Sequence, residues 1–465
     1  MGRDMVDDNG AGTSRTVAAW TFGLSVVSIV AAGVVVAGFL HSPEPELTTA
    51  LPTTTPTTTE PEQPEFSYVT PSVTYPTQIP GCDVVEPPAH TEWVGYTSFG
   101  APGYDNPRYP WFSGPKAGAM SQSLHAALPV GVELPFASPG QSLFFQPITS
   151  NDDMTASAES GDVDLGGDTA AYGTLLRGDT RGSLSVSVRA STDPVPACVA
   201  GQLDGRRMLA DGTVVDVLDT WSETNGVRTL SRSAHAYIPD GTRVSAYSTD
   251  AGYLYGDQTN SGTVPVAVDE LVSIVIAPGL RVTTPVSPGT ATPPETCYPP
   301  VEEGSGSTID RATAQRLGAV LAAVPLDGVT FDRPLGELWP TEYDDTAVCQ
   351  AVRVTAPGQE STLEIAITGG QDLPASDPTP IYDGPITTYR RTPDGALVGH
   401  SEQSSTSVSM RGDSEAKYET RRVVTVTRPS GTMLRVASAA DSPATPLSFE
   451  QLDAIALAPG IEVPR

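Results

Sequence analysis

The chain has 465 residues, including 44 Gly and 44 Pro, and a formal charge of −29. So acidic a protein is a poor partner for nucleic acid and for acidic lipid surfaces, which are themselves polyanionic. Lys occurs at Lys116 and Lys417 alone while Arg is frequent; with abundant Ala, Gly, Pro and Val, this composition points to a GC-rich bacterial genome.

Residues 1–15 form a polar tail, and Thr16–Leu40 is an uncharged, apolar run. At ~1.5 Å rise per residue the run is long enough to cross a bilayer as a helix. Arg3 and Arg15 precede it, and no Lys or Arg follows until Arg108. The asymmetry predicts a cytoplasmic tail and an extracytoplasmic remainder. A cleaved signal peptide is the rival reading, with Val36-Ala37-Gly38 as its small-residue site; the run exceeds the usual ~7–15 residue core of such a leader. No Cys follows at a lipoprotein-like position, which argues against a lipid anchor.

Residues 41–80 read as a disordered Thr/Pro-rich stalk, with Pro at positions 43, 45, 52, 56, 61, 64, 71, 76 and 80. Too little apolar surface is present to offset ordering entropy, and extended polyproline-like conformations are favoured. Stretched at ~3.1 Å per residue the segment reaches on the order of 100 Å. Its Thr/Pro clusters also suit O-glycosylation.

Beyond the stalk the chain repeats itself. Asp269 to Leu280 and Glu450 to Ile461 align, with Leu271, Ile274 and Val275 matching Leu452, Ile455 and Ala456. That spacing is the stripe of a short amphipathic helix, stopped in each copy by Pro278 or Pro459. Ser448 and Gln451 have capping-box spacing, whereas Ala267 occupies the cap position of the first copy and should start its helix less firmly. Leu184–Val188 and Leu363–Ile367 alternate as half-buried strands. Asp211-Gly212 matches Asp394-Gly395 as a turn, and His235–Val244 matches Val424–Leu434 as strand, turn and returning strand. Ala117–Leu128 and Arg311–Val324 read as equivalent early helices.

The pattern predicts an α+β architecture. Repeat domain 1 spans 81–286, a linker 287–294 and repeat domain 2 295–465. Each has an antiparallel sheet of four or five strands between an early and a closing helix, and each is large enough for its own core. The hairpin with Pro-Asp-Gly-Thr at 239–242 and the later helix ahead of Pro278 resemble segments of uncharacterised exported actinobacterial proteins, over about the last 70 residues of each repeat. The resemblance implies an envelope location and a bacterial source, and it carries no activity and no site residues.

Four cysteines lie on the predicted outer side, an oxidising space that favours disulfides. Cys82 and Cys297 open the two repeats, so one bridge per domain is expected: Cys82–Cys198 and Cys297–Cys349. In the chain-entropy picture, loops of these lengths stabilise by at most ~4–5 kcal/mol each. No Cys-x-x-Cys pair suggests a zinc or thioredoxin-like site.

Candidate chemistry is sparse. His41, His90, His125, His235 and His400 form no metal-binding pair, and no Gly-x-Ser-x-Gly elbow is present. A Ser-His-Asp set could assemble only in space, for instance from His400, Asp413 and Ser414. Asp162 to Asp168 alternates like the start of a calcium loop, but Gly173 stands where the bidentate acid is needed, so a solvated acidic loop is preferred. Arg177-Gly178-Asp179 and Arg411-Gly412-Asp413 read as turns. The aromatic segment 93–112 is the candidate ligand surface, through Trp93, Tyr96, Tyr104, Tyr109 and Trp111, since aromatic faces give large contact area at low entropy cost; Phe99 and Phe112 flank them. The alternative is that these rings cover the sheet.

The sequence therefore predicts a single-pass protein of the bacterial plasma membrane, anchored by 16–40, that binds an envelope protein or glycan. It implies no cofactor, no metal and no catalysis. An envelope hydrolase with a site assembled in three dimensions is the alternative.

Overall fold

The computed structural model describes residues 66–88, 104–148, 167–252, 260–299, 306–342, 344–357, 359–375, 387–407 and 417–463. These belong to one compact unit, Phe66–Arg465. Thr16–Leu40 lies outside the described residues, among which no helix is long and apolar enough to cross a membrane.

The folded unit begins earlier than composition suggests. Residues 66–80, expected in the stalk, belong to it. Strand β1 (Tyr68–Val69) pairs antiparallel with β7 (Val214–Thr224). Asn225 fixes the approach: its N–H donates to the Ser67 carbonyl at 2.9 Å, and its Oδ1 accepts from the Ser67 N–H at 3.0 Å. Asn225 and Gly226 both have positive φ, the Asn-Gly signature of a two-residue hairpin. Extended, Pro-rich chain lacks internal hydrogen bonds, and a sheet edge supplies them.

The first sheet runs β1-β7-β8-β9-β4-β3, with β3 (Asp168–Arg177), β4 (Thr180–Ala190), β8 (Val227–Tyr237) and β9 (Thr242–Thr249); β6 (Gly205–Met208) also pairs with β7. Apart from it, β2 (Val85–Glu86) and β5 (Cys198–Val199) make a short parallel pair. The second sheet runs β10-β12-β13-β17-β16-β15-β14, and β11 pairs with β12. Its strands are β10 (Thr330–Phe331), β11 (Trp339–Pro340), β12 (Ala347–Ala356), β13 (Gln359–Thr368), β14 (Thr387–Arg391), β15 (Leu397–Ser407), β16 (Lys417–Thr427) and β17 (Met433–Asp441). Both sheets thus follow one plan. A hairpin (β3-β4, β12-β13) is followed by a meander (β6 to β9, β14 to β17) whose last strand returns beside the hairpin's second strand. The four or five strands expected per repeat become seven and eight among the described residues, because short edge strands too brief to show alternation extend both sheets.

Helices cover one side of each sheet. Helix α1 (Gly114–Ala127) starts at Ser113, whose Oγ accepts from the Lys116 N–H at 3.3 Å, with Pro115 in the first turn. Helix α3 (Arg311–Ala322) starts at Asp310, whose carboxylate accepts from the Thr313 N–H at 2.7 Å. The closing helices are α2 (Val268–Val275) and α4 (Phe449–Ala456). Ser448 and Gln451 cap α4 reciprocally, at 3.2 and 3.0 Å. At α2, only the Glu270 carboxylate caps, accepting from the Ala267 N–H at 2.8 Å. Leu271 and Ile274 of α2 sit in a core with Leu184, Val186 and Ala246. Leu452 and Ile455 of α4 do the same with Leu363, Ile365 and Val436.

Equivalent struts hold the closing helices down. Arg232 on β8 pairs through Nε with Asp219 at 2.9 Å, and its Nη1 donates to the Val264 and Val266 carbonyls just before α2. Arg422 on β16 pairs through Nε with Glu402 at 2.6 Å and donates to the Pro446 and Leu447 carbonyls just before α4. Thr242 accepts from the Val282 N–H at 3.1 Å, and Thr432 accepts from the Val463 N–H at 2.9 Å.

The two disulfides are Cys82–Cys198 and Cys297–Cys349, one per domain. The linker 287–294 is pinned rather than free. Gly118 of α1 lies so near the chain that a Cβ there would stand 2.0 Å from the Ala291 carbonyl oxygen, and one on Gly114 would stand 2.3 Å from Thr292 Oγ1. Arg333 donates to the Thr292 and Pro293 carbonyls. Buried Lys116 donates to the Arg281 and Thr284 carbonyls, each at 2.6 Å, and burial lowers its ammonium to about 8. The domains also meet directly. Glu342 accepts from Ser138 and Gln141, and Trp339 packs edge-on to Phe144 at 5.5 Å.

Candidate functional site

With helices on one side, each sheet has a second side that no helix covers among the described residues, and residue alternation decides what it displays. On the first sheet the outward positions are Ser183, Ser185 and Ser187 of β4, Ser245, Tyr247 and Thr249 of β9, and Ser231, Ser233 and His235 of β8. The segment 70–79 borders part of this face and, with it, lines a cavity of about 710 Å³. Two close approaches to glycine place that segment. A Cβ on Gly201 would meet Val73 at 2.5 Å, and one on Gly81 would meet the Arg206 carbonyl oxygen at 1.9 Å; both glycines have positive φ. The Cys82–Cys198 bridge, with Ile79 and Leu203, forms a small separate core behind it.

Tyr68 and Tyr247 line this cavity with 61% and 47% of their surfaces exposed. Thr74, Thr77, Gln78, Thr220 and Ser222 also line it, and their side chains make no hydrogen bond among the described residues. Its two carboxylates are engaged: Asp204 accepts from the Asp219 N–H at 2.7 Å, and Asp219 pairs with Arg232.

The second sheet's uncovered side is charged. Its cavity of about 660 Å³ has Glu364, Arg421 and Arg435 on the floor. Arg435 and Arg421 approach the same Glu364 oxygen, at 3.0 and 3.6 Å. The Arg435 side chain is 13% exposed; burial lowers its guanidinium below the usual range, and Arg421 adds like-charge repulsion.

The expected aromatic surface divides. Trp93 and Tyr96 lie outside the described residues, as does Phe99. Tyr104 is buried in the first core, donates to the Phe145 carbonyl at 3.1 Å, and lies 6.0 Å from Phe112; burial pushes its phenol up. It has no open face for a ligand, because an aromatic ring among Gly and Pro fills the space over the sheet. Tyr109 and Trp111 are half-buried and pack against the same core.

The histidines sit apart. His41 and His90 lie outside the described residues, with Asp413 and Ser414. His125 Nε2 meets the Ser142 carbonyl at 2.9 Å. His400 meets Asp453 at 2.8 Å, stacks on Phe449 and helps seat α4. His235 Nδ1 lies 2.9 Å from Ser245 Oγ. Asp216 stands opposite His235 on β7, giving a Ser-His-Asp row across three strands. Arg206 holds both Asp216 oxygens, at 2.7 and 2.8 Å. Burial depresses the His235 imidazolium, against a smaller opposing pull from Asp216.

Arg177-Gly178-Asp179 is the β3-β4 hairpin turn, and Arg177 grips Glu270 through both terminal nitrogens. Residues 162–166 of the acidic loop and Arg411-Gly412-Asp413 lie outside the described residues. No cluster suited to a metal ion occurs among the described residues. Sequence reading passed over Tyr68 and Tyr247. The available signal was Tyr247 at an outward position of a strand whose neighbours there are Ser245 and Thr249.

No family model and no curated protein matches the chain. A solved structure that does match is that of the di-domain ARO/CYC StfQ from the steffimycin biosynthetic pathway. It shares 10% identity over 70% of this chain and 82% of that one, with a TM-score of 0.12, and at that score carries no argument.

Proposed function

We propose that this protein is a membrane-anchored binding protein of the bacterial cell envelope, held by residues 16–40 with its two sheet domains outside the plasma membrane. The observation that carries the binding reading is the cavity of about 710 Å³ on the uncovered face of the first sheet, with open tyrosines and unengaged polar side chains. Ligand sites are concave, span roughly 300–1,000 Å³, and mix apolar faces with a few convergent polar groups. The two disulfides suit an oxidising compartment.

The test has two parts. In intact cells, added protease should remove the folded unit while an epitope within residues 1–15 survives; loss of that epitope would reverse the topology. The full chain in detergent should also capture a specific component from cell wall or solubilised membranes, and Tyr247→Ala should lose it. Capture of nothing by the folded protein counts against the binding reading.

The hydrolase alternative has one observation in its favour, the Ser245–His235 contact. An activated serine would label with a fluorophosphonate, and Ser245→Ala would abolish the label. Absence of labelling in the folded protein sets that alternative aside.

A further inference from the structure

Within that binding reading, on which the inference rests, we infer that the cavity between the segment 70–79 and the uncovered face of the first sheet takes an uncharged oligosaccharide. The argument starts from what the lining can recognise. Tyr68 and Tyr247 line the same space with much of their surface exposed, from the edge strand β1 and the interior strand β9. Flat apolar rings with a polar tip suit ligands that are apolar on one face and hydroxylated at the rim.

The remaining lining favours hydroxyls over charges. Thr74, Thr77, Gln78, Thr220 and Ser222 offer donors and acceptors that no protein group occupies among the described residues. A ligand carrying many hydroxyl groups satisfies such a set in both senses, since each sugar hydroxyl donates and accepts. Among the described residues no cationic side chain lines the cavity to hold an acidic ligand, while Asp204 and Asp219 are engaged by a backbone N–H and by Arg232. The contrast with the second sheet is internal, because there the equivalent face presents Glu364, Arg421 and Arg435.

The site is also pre-organised. The bridge Cys82–Cys198, the Gly201–Val73 approach and the Ser67–Asn225 pair fix the bordering segment before any ligand arrives. Rigid walls reduce the ordering cost of binding.

The test uses the full chain in a zwitterionic detergent without a sugar headgroup. The probes are neutral trisaccharides of glucose, mannose and N-acetylglucosamine, an acidic trigalacturonate and an unrelated extended peptide. Saturation-transfer NMR and tyrosine fluorescence report binding. At least one neutral trisaccharide should bind saturably, Tyr247→Ala and Tyr68→Ala should each weaken it about tenfold, and Tyr247→Phe should retain it. Tyr247 is half-exposed, so its removal spares the core, and circular dichroism checks the fold. Preference for the peptide or for trigalacturonate overturns the inference, as does trisaccharide binding that Tyr247→Ala leaves unchanged. If no saccharide binds but Tyr247→Ala still abolishes capture from the envelope fraction, the saccharide inference falls and the binding reading stands. If both fail, both fall.

Discussion

On the helix-covered side, Leu184, Val186 and Val188 of β4 stand where Leu363, Ile365 and Ile367 of β13 stand, and all six are buried. On the side away from the helices, the same strands carry Ser183, Ser185 and Ser187 in one domain and Thr362, Glu364 and Ala366 in the other, with Ala366 buried against the Cys297–Cys349 bridge. The difference extends across the sheet: β9 shows Ser245 and Tyr247 where β17 shows Arg435 and Ala437. Packing at interior density ties the covered positions to their volumes, whereas the opposite positions are set by polar partners such as Ser183–Thr249 and Glu364–Arg435. One scaffold thus carries a Ser- and Thr-rich face and one centred on an Arg–Glu–Arg cluster.

The comparison breaks most readily in the cores. Leu184→Ala and Leu363→Ala each remove a fully buried side chain from equivalent strands. Each should cost about 3–4 kcal/mol in chemical denaturation. Because the domains share the pinned linker and the Glu342 contacts, unfolding should remain one transition. Costs that differ by more than about 2 kcal/mol, or two resolved transitions, would mean that the domains are not equivalent scaffolds.

The charged face comes next. Glu364→Gln leaves Arg435 and Arg421 side by side without their shared carboxylate. Removing one partner of a largely buried pair strands the other charge, so about 2–3 kcal/mol should be lost. Adding Arg435→Met should recover part of it. A neutral effect of Glu364→Gln would show that solvent already screens the cluster.

Much of the scaffold was legible because its signals are local. The alternation of β4 and β13, the Asp-Gly turns and the Leu-x-x-Ile stripes of α2 and α4 each lie within a dozen residues. Elements set by distant partners were not legible. Residues 66–80 read as extended chain, and extended chain they are, but the β7 edge that orders them lies over 140 residues away. Nothing local to Gly114 and Gly118 announces the linker that packs against them from over 170 residues away. Arg435 and Glu364 each occupy an ordinary polar position in an alternating strand, and only register brings them together. Aromatic density in 93–112 pointed to a surface, yet Tyr104 is core. Two exposed tyrosines line the first sheet's cavity: Tyr68, hidden in Thr/Pro composition, and Tyr247, alone among serines and threonines.

The closing helices allow a finer test. Ser448→Ala removes a reciprocal cap and should cost about 1 kcal/mol, while Ala267→Ser supplies the hydroxyl that α2 lacks and should gain about 0.5 kcal/mol. Both shifts appear in the denaturation midpoint. No gain from Ala267→Ser would mean that Glu270, already held by Arg177 and the Ala267 N–H, meets the whole requirement of that helix end.

The smallest effect concerns protons. His235 stands on β8 where β16 has Thr425, so this titration belongs to the first domain alone. Burial holds its folded pKa below the ordinary 6.5, with Asp216 pulling weakly the other way because Arg206 already engages it. Below about pH 6.5 the unfolded chain therefore binds more protons than the folded one, and stability falls as pH falls until the folded imidazole also protonates. Glu270 and Asp211, held below their ordinary range, act in the same direction only under about pH 4.5. His235→Thr imports the other domain's residue, and its difference from wild type isolates this one group. Between about pH 7.5 and pH 5.5 the wild type should lose more stability than His235→Thr. Equal losses would show that the imidazole stays as free to protonate in the sheet as in the unfolded chain, and that the polar row from Ser245 to Arg206 solvates it as well as water does.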